Sequence, residues 1–139
     1  MFKLDTMELE MHIMEELTPI KDLLNLRGIY FAKNNSGIEE GTYIFSDQQG
    51  YHFVYSEKGC ETKHKVTDNL FEITFWTANT LVSSLALELL KKNISKVENQ
   101  RQYILEQKLI YLEKMGSNYK KAAEIQIEEG FGGKMHEDN

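Results

Sequence analysis

One cysteine, one proline and one tryptophan make these the scarcest residues in a chain of 139. A single cysteine leaves no intrachain disulfide and no C-x-x-C half of a zinc site, which suits a reducing compartment, so the cytoplasm is the expected location. No window holds the ~18 consecutive apolar residues of a spanning helix. The opening MFKLDTMELEMHIMEEL has no basic start followed by an apolar run, so neither a membrane span nor a secretory leader is expected. Basic charge is also short: 16 Lys and Arg face 22 Asp and Glu, a formal −6. Phosphate contacts need clustered cations, so no nucleic-acid partner is expected.

What is present reads as a folded protein. With 41% AVILMFWYC and 27% charged residues, the composition is that of a globular chain, and the length suits one domain. That domain is expected over residues 1–129, with a flexible polar tail at 130–139. Asp5 and Glu8 have the spacing of a capping box, and Met7, Met11, Met14 and Leu17 recur at helical intervals, placing them on one face. Thr18 and Pro19 read as the cap and first position of a second short helix ending near Gly28. Asp5 to Asp22 holds six acidic residues and one basic, a net −5.

From Gly28 to Val66 the period changes to two. Ile29–Ala32, Thr42–Ser46, Tyr51–Tyr55 and a run from Glu61 to Val66 read as four strands. Between them lie the loop Asn34–Gly37, the turn Asp47-Gln-Gln-Gly50 and the turn Glu57-Lys58-Gly59. Alternation sets Tyr51, Phe53 and Tyr55 on one face, and Tyr43 with Phe45 could join them across the hairpin, with the register deciding which face is buried. Thr67, Asp68 and Asn69 are three candidate caps, Asn69 with Glu72 as a box, for a long helix that is apolar on more than one side and ends near Lys92. Ser95 with Glu98 reads as the box for a third helix that Gly116 stops, and a last short helix reaches about Glu129. The expected class is α+β: N-terminal helices, a central antiparallel meander of about four strands, and C-terminal helices packed on one face.

Reactive constellations are scarce. Cys60 and His64, four apart on an extended strand, would share a face about 13 Å apart. That is too far for a thiol and its base, and no catalytic residue is assigned. His12, His52, His64 and His136 lie on different segments without H-E-x-x-H spacing, so no metal or cofactor is expected. His52 and His64 could meet across strands. Gly130-Phe-Gly-Gly133 is not followed by the Lys-Ser or Lys-Thr pair of a phosphate loop, and no strand is expected before it. Carboxylates are plentiful, and a convergent pair in a deep pocket would mark a hydrolase; as read, they are solvated helix faces.

Taken together, Tyr51 and Phe53 on a strand, Glu57 and Gly59 in the turn, Asp68 before a helix, and Arg101, Tyr103 and Gln107 along a later helix form a pattern. Over about residues 43–129 it resembles Immunity protein 63, a group of immunity proteins from bacterial polymorphic toxin and contact-dependent inhibition systems. Lys58 stands where that pattern has Arg, keeping the charge but not the planar fork, and Glu98 stands where it has Asp.

The resemblance implies a protein that is not an enzyme and that neutralises a cognate toxin domain, a nuclease or another intracellular enzyme, by blocking its active site or an essential surface. An acidic chain suits such a partner, because enzymes that act on polyanions carry basic surfaces. The expected rim is Glu10, Glu15, Glu16, Glu39, Glu40 and Asp47, with Tyr43 or Tyr51 as an exposed anchor. Glu57, Gly59 and Arg101 are expected to be structural, with Glu57 and Arg101 an internal polar pair. The chain is expected to be a monomer or weak dimer. The alternative is a small adaptor or self-associating regulatory domain that uses its Met-rich first helix.

Overall fold

A computed structural model describes residues 3–33, 39–58 and 60–138, with the backbone alone at 131–138. The loop Asn34–Gly37, Gly59 and Asn139 therefore lie outside the described residues. The class is α+β. The order is α1 (Thr6–Glu16), a 3-10 helix (Thr18–Leu23), β1 (Ile29–Tyr30), β2 (Gly41–Asp47), β3 (Gly50–Glu57), β4 (Cys60–Thr67), α2 (Leu70–Asn93), a 3-10 turn (Ile94–Lys96), α3 (Gln100–Met115) and α4 (Ser117–Asp138). The chain divides into two compact units. The first takes Met1–Thr18 and Asn25–Thr77, and the second Pro19–Leu24 and Ala78–Asn139.

In the first unit α1 starts where the capping box predicts: the Glu8 amide donates to Asp5 Oδ1 at 2.8 Å and the Asp5 amide to Glu8 Oε1 at 3.0 Å. Its buried face differs from the expected one. Leu9, Ile13 and Leu17 are buried, while Met7 and Met11 are 72% and 67% exposed. Two stripes with the same helical spacing compete on this helix, and the Leu/Ile stripe takes the core.

The sheet order is β1-β2-β3-β4, with β2–β3 and β3–β4 antiparallel and β1 parallel to β2. The sheet is therefore mixed rather than a pure meander. A tight hairpin forces antiparallel pairing, whereas β1 and β2 are separated in sequence by residues 31–40 and not by a two-residue turn.

Register divides the aromatic row. The two-residue turn Gln48-Gln49 pairs Asp47 with Gly50, so every odd residue of β2 lies opposite an even residue of β3. Opposed residues share a face, so Ile44 lies with Phe53, whereas Tyr43 and Phe45 lie with Val54 and His52. Both faces are covered. Phe53 meets Trp76 of α2 edge-on at 6.1 Å. On the other face Tyr43, Phe45 and Val54 form a cluster with Tyr30, which stacks on Tyr43 at 4.9 Å.

β4 carries one irregularity with consequences for the site. Tyr55 pairs with Lys63 but Ser56 with Glu61, so Thr62 is an extra residue, a β-bulge. Alternation fails there. Glu61 moves to the face of His64, and Cys60, opposite Glu57, moves off it. Cys60 and His64 thus do not share a face as the sequence suggests.

Helix α2 begins in the first unit and ends in the second. The stretch Leu70–Lys96 is long and apolar enough to cross a membrane by composition, with 56% of its apolar window buried inside the protein. Its buried hydroxyls are satisfied within the helix, Thr74 donating to the Leu70 carbonyl at 2.7 Å and Thr77 to that of Ile73 at 2.9 Å. In the second unit α3 opens later than predicted. Asn99, not Ser95, is the cap, accepting from the Gln102 amide at 3.0 Å, because Ile94–Lys96 turns as a 3-10 helix first. Leu112 of α3 and Tyr119 and Ala123 of α4 are buried. α4 also runs past the expected end near Glu129 to Asp138. Glycine weakens a helix interior by about 1 kcal/mol relative to alanine but, unlike proline, does not forbid it.

Candidate functional site

Two features of the first unit bring polar groups together: a polar chain on the Phe45 face of the sheet, and the outer face of α1.

The chain centres on His52, which is 3% exposed. Its ring stacks on Phe45 with centroids 4.4 Å apart and planes 6° from parallel. His52 Nε2 lies 2.7 Å from Asp47 Oδ1, and His52 Nδ1 lies 2.9 Å from His64 Nε2. His64 Nδ1 lies 3.4 Å from Glu61 Oε2. Each contact follows from the strand geometry. The short turn sets Asp47 diagonally from His52, the β3–β4 register sets His64 diagonally from His52, and the bulge swings Glu61 under His64. The hydrogen bond from His52 holds the Asp47 carboxyl below its ordinary range; desolvation opposes this and the Gln49 amide adds to it. Among the described residues no group of three or more His, Cys, Asp or Glu side chains is placed to hold a metal.

The outer face of α1 carries Met7 and Met11 one turn apart, with half-buried Met14 beside them. At ~100° per residue, Glu10 flanks this stripe on one side and Glu8 and Glu15 on the other. All three glutamates are exposed. Glu16 turns toward the packed side and is half-buried and engaged.

The remaining expected residues scatter. Glu39 and Glu40 are exposed ahead of β2, and the Glu39 carbonyl accepts from the Tyr43 hydroxyl at 2.8 Å. Asp47 belongs to the histidine chain rather than to an open rim. Tyr43 and Tyr51 are 6% and 2% exposed, so neither offers a ring to a partner. Both sheet faces are packed, and the Tyr51 hydroxyl is taken by the Leu4 amide at 2.9 Å. Glu57 at the end of β3 and Arg101 in the first turn of α3 both have exposed side chains, not internal ones. Gly59 lies outside the described residues. Glu98 and Glu106 line a groove with Asn93, Asn99, Gln102 and Tyr103 that is open to solvent and not a closed cavity.

The sequence offers the methionines to a partner only in the alternative adaptor reading, because their spacing fits a core stripe equally well. It had the His52–His64 encounter only as an open option; the signal for the whole chain lies in the two-residue turn and the bulge.

A family model described as Immunity protein 63 matches residues 47–129, more than half of the chain. No curated protein matches. No solved structure matches.

Proposed function

Because the chain belongs to the Immunity protein 63 family, we propose that it neutralises a cognate toxin by seating the outer face of α1 against a basic, partly apolar surface of that toxin. The family acts by binding a toxin. The observation that carries the finer reading is the exposure of Met7 and Met11 inside a rim of Glu8, Glu10 and Glu15. Methionine is flexible and polarizable, and suits an anchor that must fill an irregular pocket. The glutamates supply steering toward a cationic partner. A toxin whose substrate is polyanionic, such as a nuclease, presents such a surface, and covering it blocks the active site or an essential approach to it. The protein then acts in the cytoplasm, where such an enzyme finds its substrate.

Self-association through the same methionines is the second reading. A two-fold dimer there sets one copy's Glu8, Glu10 and Glu15 against the same residues of the other, and like charges opposed in this way repel. Sedimentation at rising concentration separates the two readings.

The test is association with the cognate toxin domain at low and high salt. Glu10→Lys with Glu15→Lys is expected to slow association about tenfold or more at low salt, with the difference shrinking at high salt. Met7→Asp with Met11→Asp is expected to speed dissociation. Unchanged rates in both pairs would remove α1 from the interface.

A further inference from the structure

We propose that His52 and His64 form a two-histidine clip for a borderline divalent transition-metal ion such as Zn2+ or Cu2+. The inner nitrogens, His52 Nδ1 and His64 Nε2, face each other 2.9 Å apart. The outer nitrogens each meet a carboxylate, Asp47 Oδ1 at 2.7 Å and Glu61 Oε2 at 3.4 Å. A metal-ligating imidazole is commonly held in this way: a carboxylate takes the far N–H, fixes the tautomer and ring plane, and leaves the near lone pair to the ion. Here His52 has that support from Asp47, and His64 has Glu61 within ion-pair range. Imidazole nitrogens favour zinc, copper and nickel, whereas calcium and magnesium prefer oxygen ligands.

The geometry needs a small adjustment. Metal–nitrogen bonds of about 2.0–2.1 Å at a tetrahedral angle separate two ligand nitrogens by about 3.3–3.4 Å, so the pair opens by roughly half an ångström. His52 is pinned on Phe45, while the His64 side chain is 40% exposed and supplies the movement and the entry path. Protons balance as follows. One proton joins the two inner nitrogens in their hydrogen bond. The ion replaces it, and that proton goes to solvent. Water completes the coordination, since no third side chain among the described residues converges there. The charges around the clip are Asp47, Glu61, Lys33, whose Nζ lies 5.6 Å from the Phe45 ring centroid, and Lys3, whose Nζ donates to the Asp47 carbonyl.

The experiment uses untagged protein carrying Cys60→Ser, titrated with Zn2+ alone by calorimetry at about pH 7.5. One ion per chain is expected, with affinity falling as the pH is lowered toward 6 because protons compete for the ligand nitrogens. His64→Gln, which keeps a polar side chain but offers no imidazole lone pair, is expected to abolish binding. Asp47→Asn is expected to weaken it 10–100-fold, and His12→Gln to leave it unchanged. Zinc binding that survives His64→Gln, or a parent protein that is folded by circular dichroism yet takes up no stoichiometric zinc, overturns the assignment.

Discussion

Lys65 Nζ lies 4.2 Å from the centroid of the Trp76 ring and 5.2 Å from that of Phe53, so one ammonium caps the edge-on aromatic pair that joins β3 to α2. Burial, with the neighbouring charge of Lys63 acting in the same direction, lowers the Lys65 pKa. The contact is retained despite that desolvation. Lys65→Ala is expected to cost about 1 kcal/mol. Trp76 is the only tryptophan, so its emission should report the lost cap directly, and urea unfolding followed at that wavelength gives the stability change.

Asp47 makes the acid limb of stability testable. Its carboxyl is held below the ordinary value, chiefly by the His52 hydrogen bond. A carboxyl depressed in the folded state contributes stability that is complete above its unfolded value of about 3.9 and is lost as pH falls through the folded value. Thermal melts from about pH 6 to pH 2 should therefore fall more steeply for the parent than for Asp47→Asn. Parallel curves would mean the hydrogen bond contributes nothing on that limb.

Gly41 should be close to irreplaceable. It opens β2 at φ 154°, and a Cβ there would stand 2.5 Å from the Gly28 carbonyl oxygen and 2.8 Å from the Tyr30 ring. Gly41→Ala combines backbone strain with a clash against main chain, and is expected to cost about 2–4 kcal/mol. Chemical denaturation measures it. Gly28, at φ 84° with open space around its Cβ position, should lose less on the same change.

Lys58 offers a change in the other direction. It turns the chain from β3 to β4 with φ 54°, the left-handed region that costs a branched or long side chain roughly 1–2 kcal/mol. Asn tolerates that region better. Lys58→Asn is expected to raise stability by a few tenths to about 1 kcal/mol, read as a higher melting temperature.

Local chemistry was the legible part of this fold. The Asp5–Glu8 box, the Asp47–Gly50 turn, the Asn69 cap of α2, whose Oδ1 accepts from the Glu72 amide at 2.9 Å, and the Gly116 stop of α3 all act within four residues. What failed depended on longer relations. Whether Tyr43 joins Phe53 turns on the parity of one register, and alternation alone leaves that open. Whether Met11 or Leu9 faces inward depends on what packs against α1, because their spacings are equivalent. The parallel course of β1 and the bulge at Thr62 have no local sequence signal as strong as a turn or cap. For the same reason Glu10 and Glu15 were placed correctly as exposed glutamates, while Tyr43 and Tyr51 were not rings available to a partner.

The bulge at Thr62 is one residue of slack between the turn and the histidine. Delete it and Glu61 still stands opposite Ser56 while His64 stands opposite Val54, two strand positions apart on the same side of the sheet, so the pair survives in a shorter, strictly alternating strand.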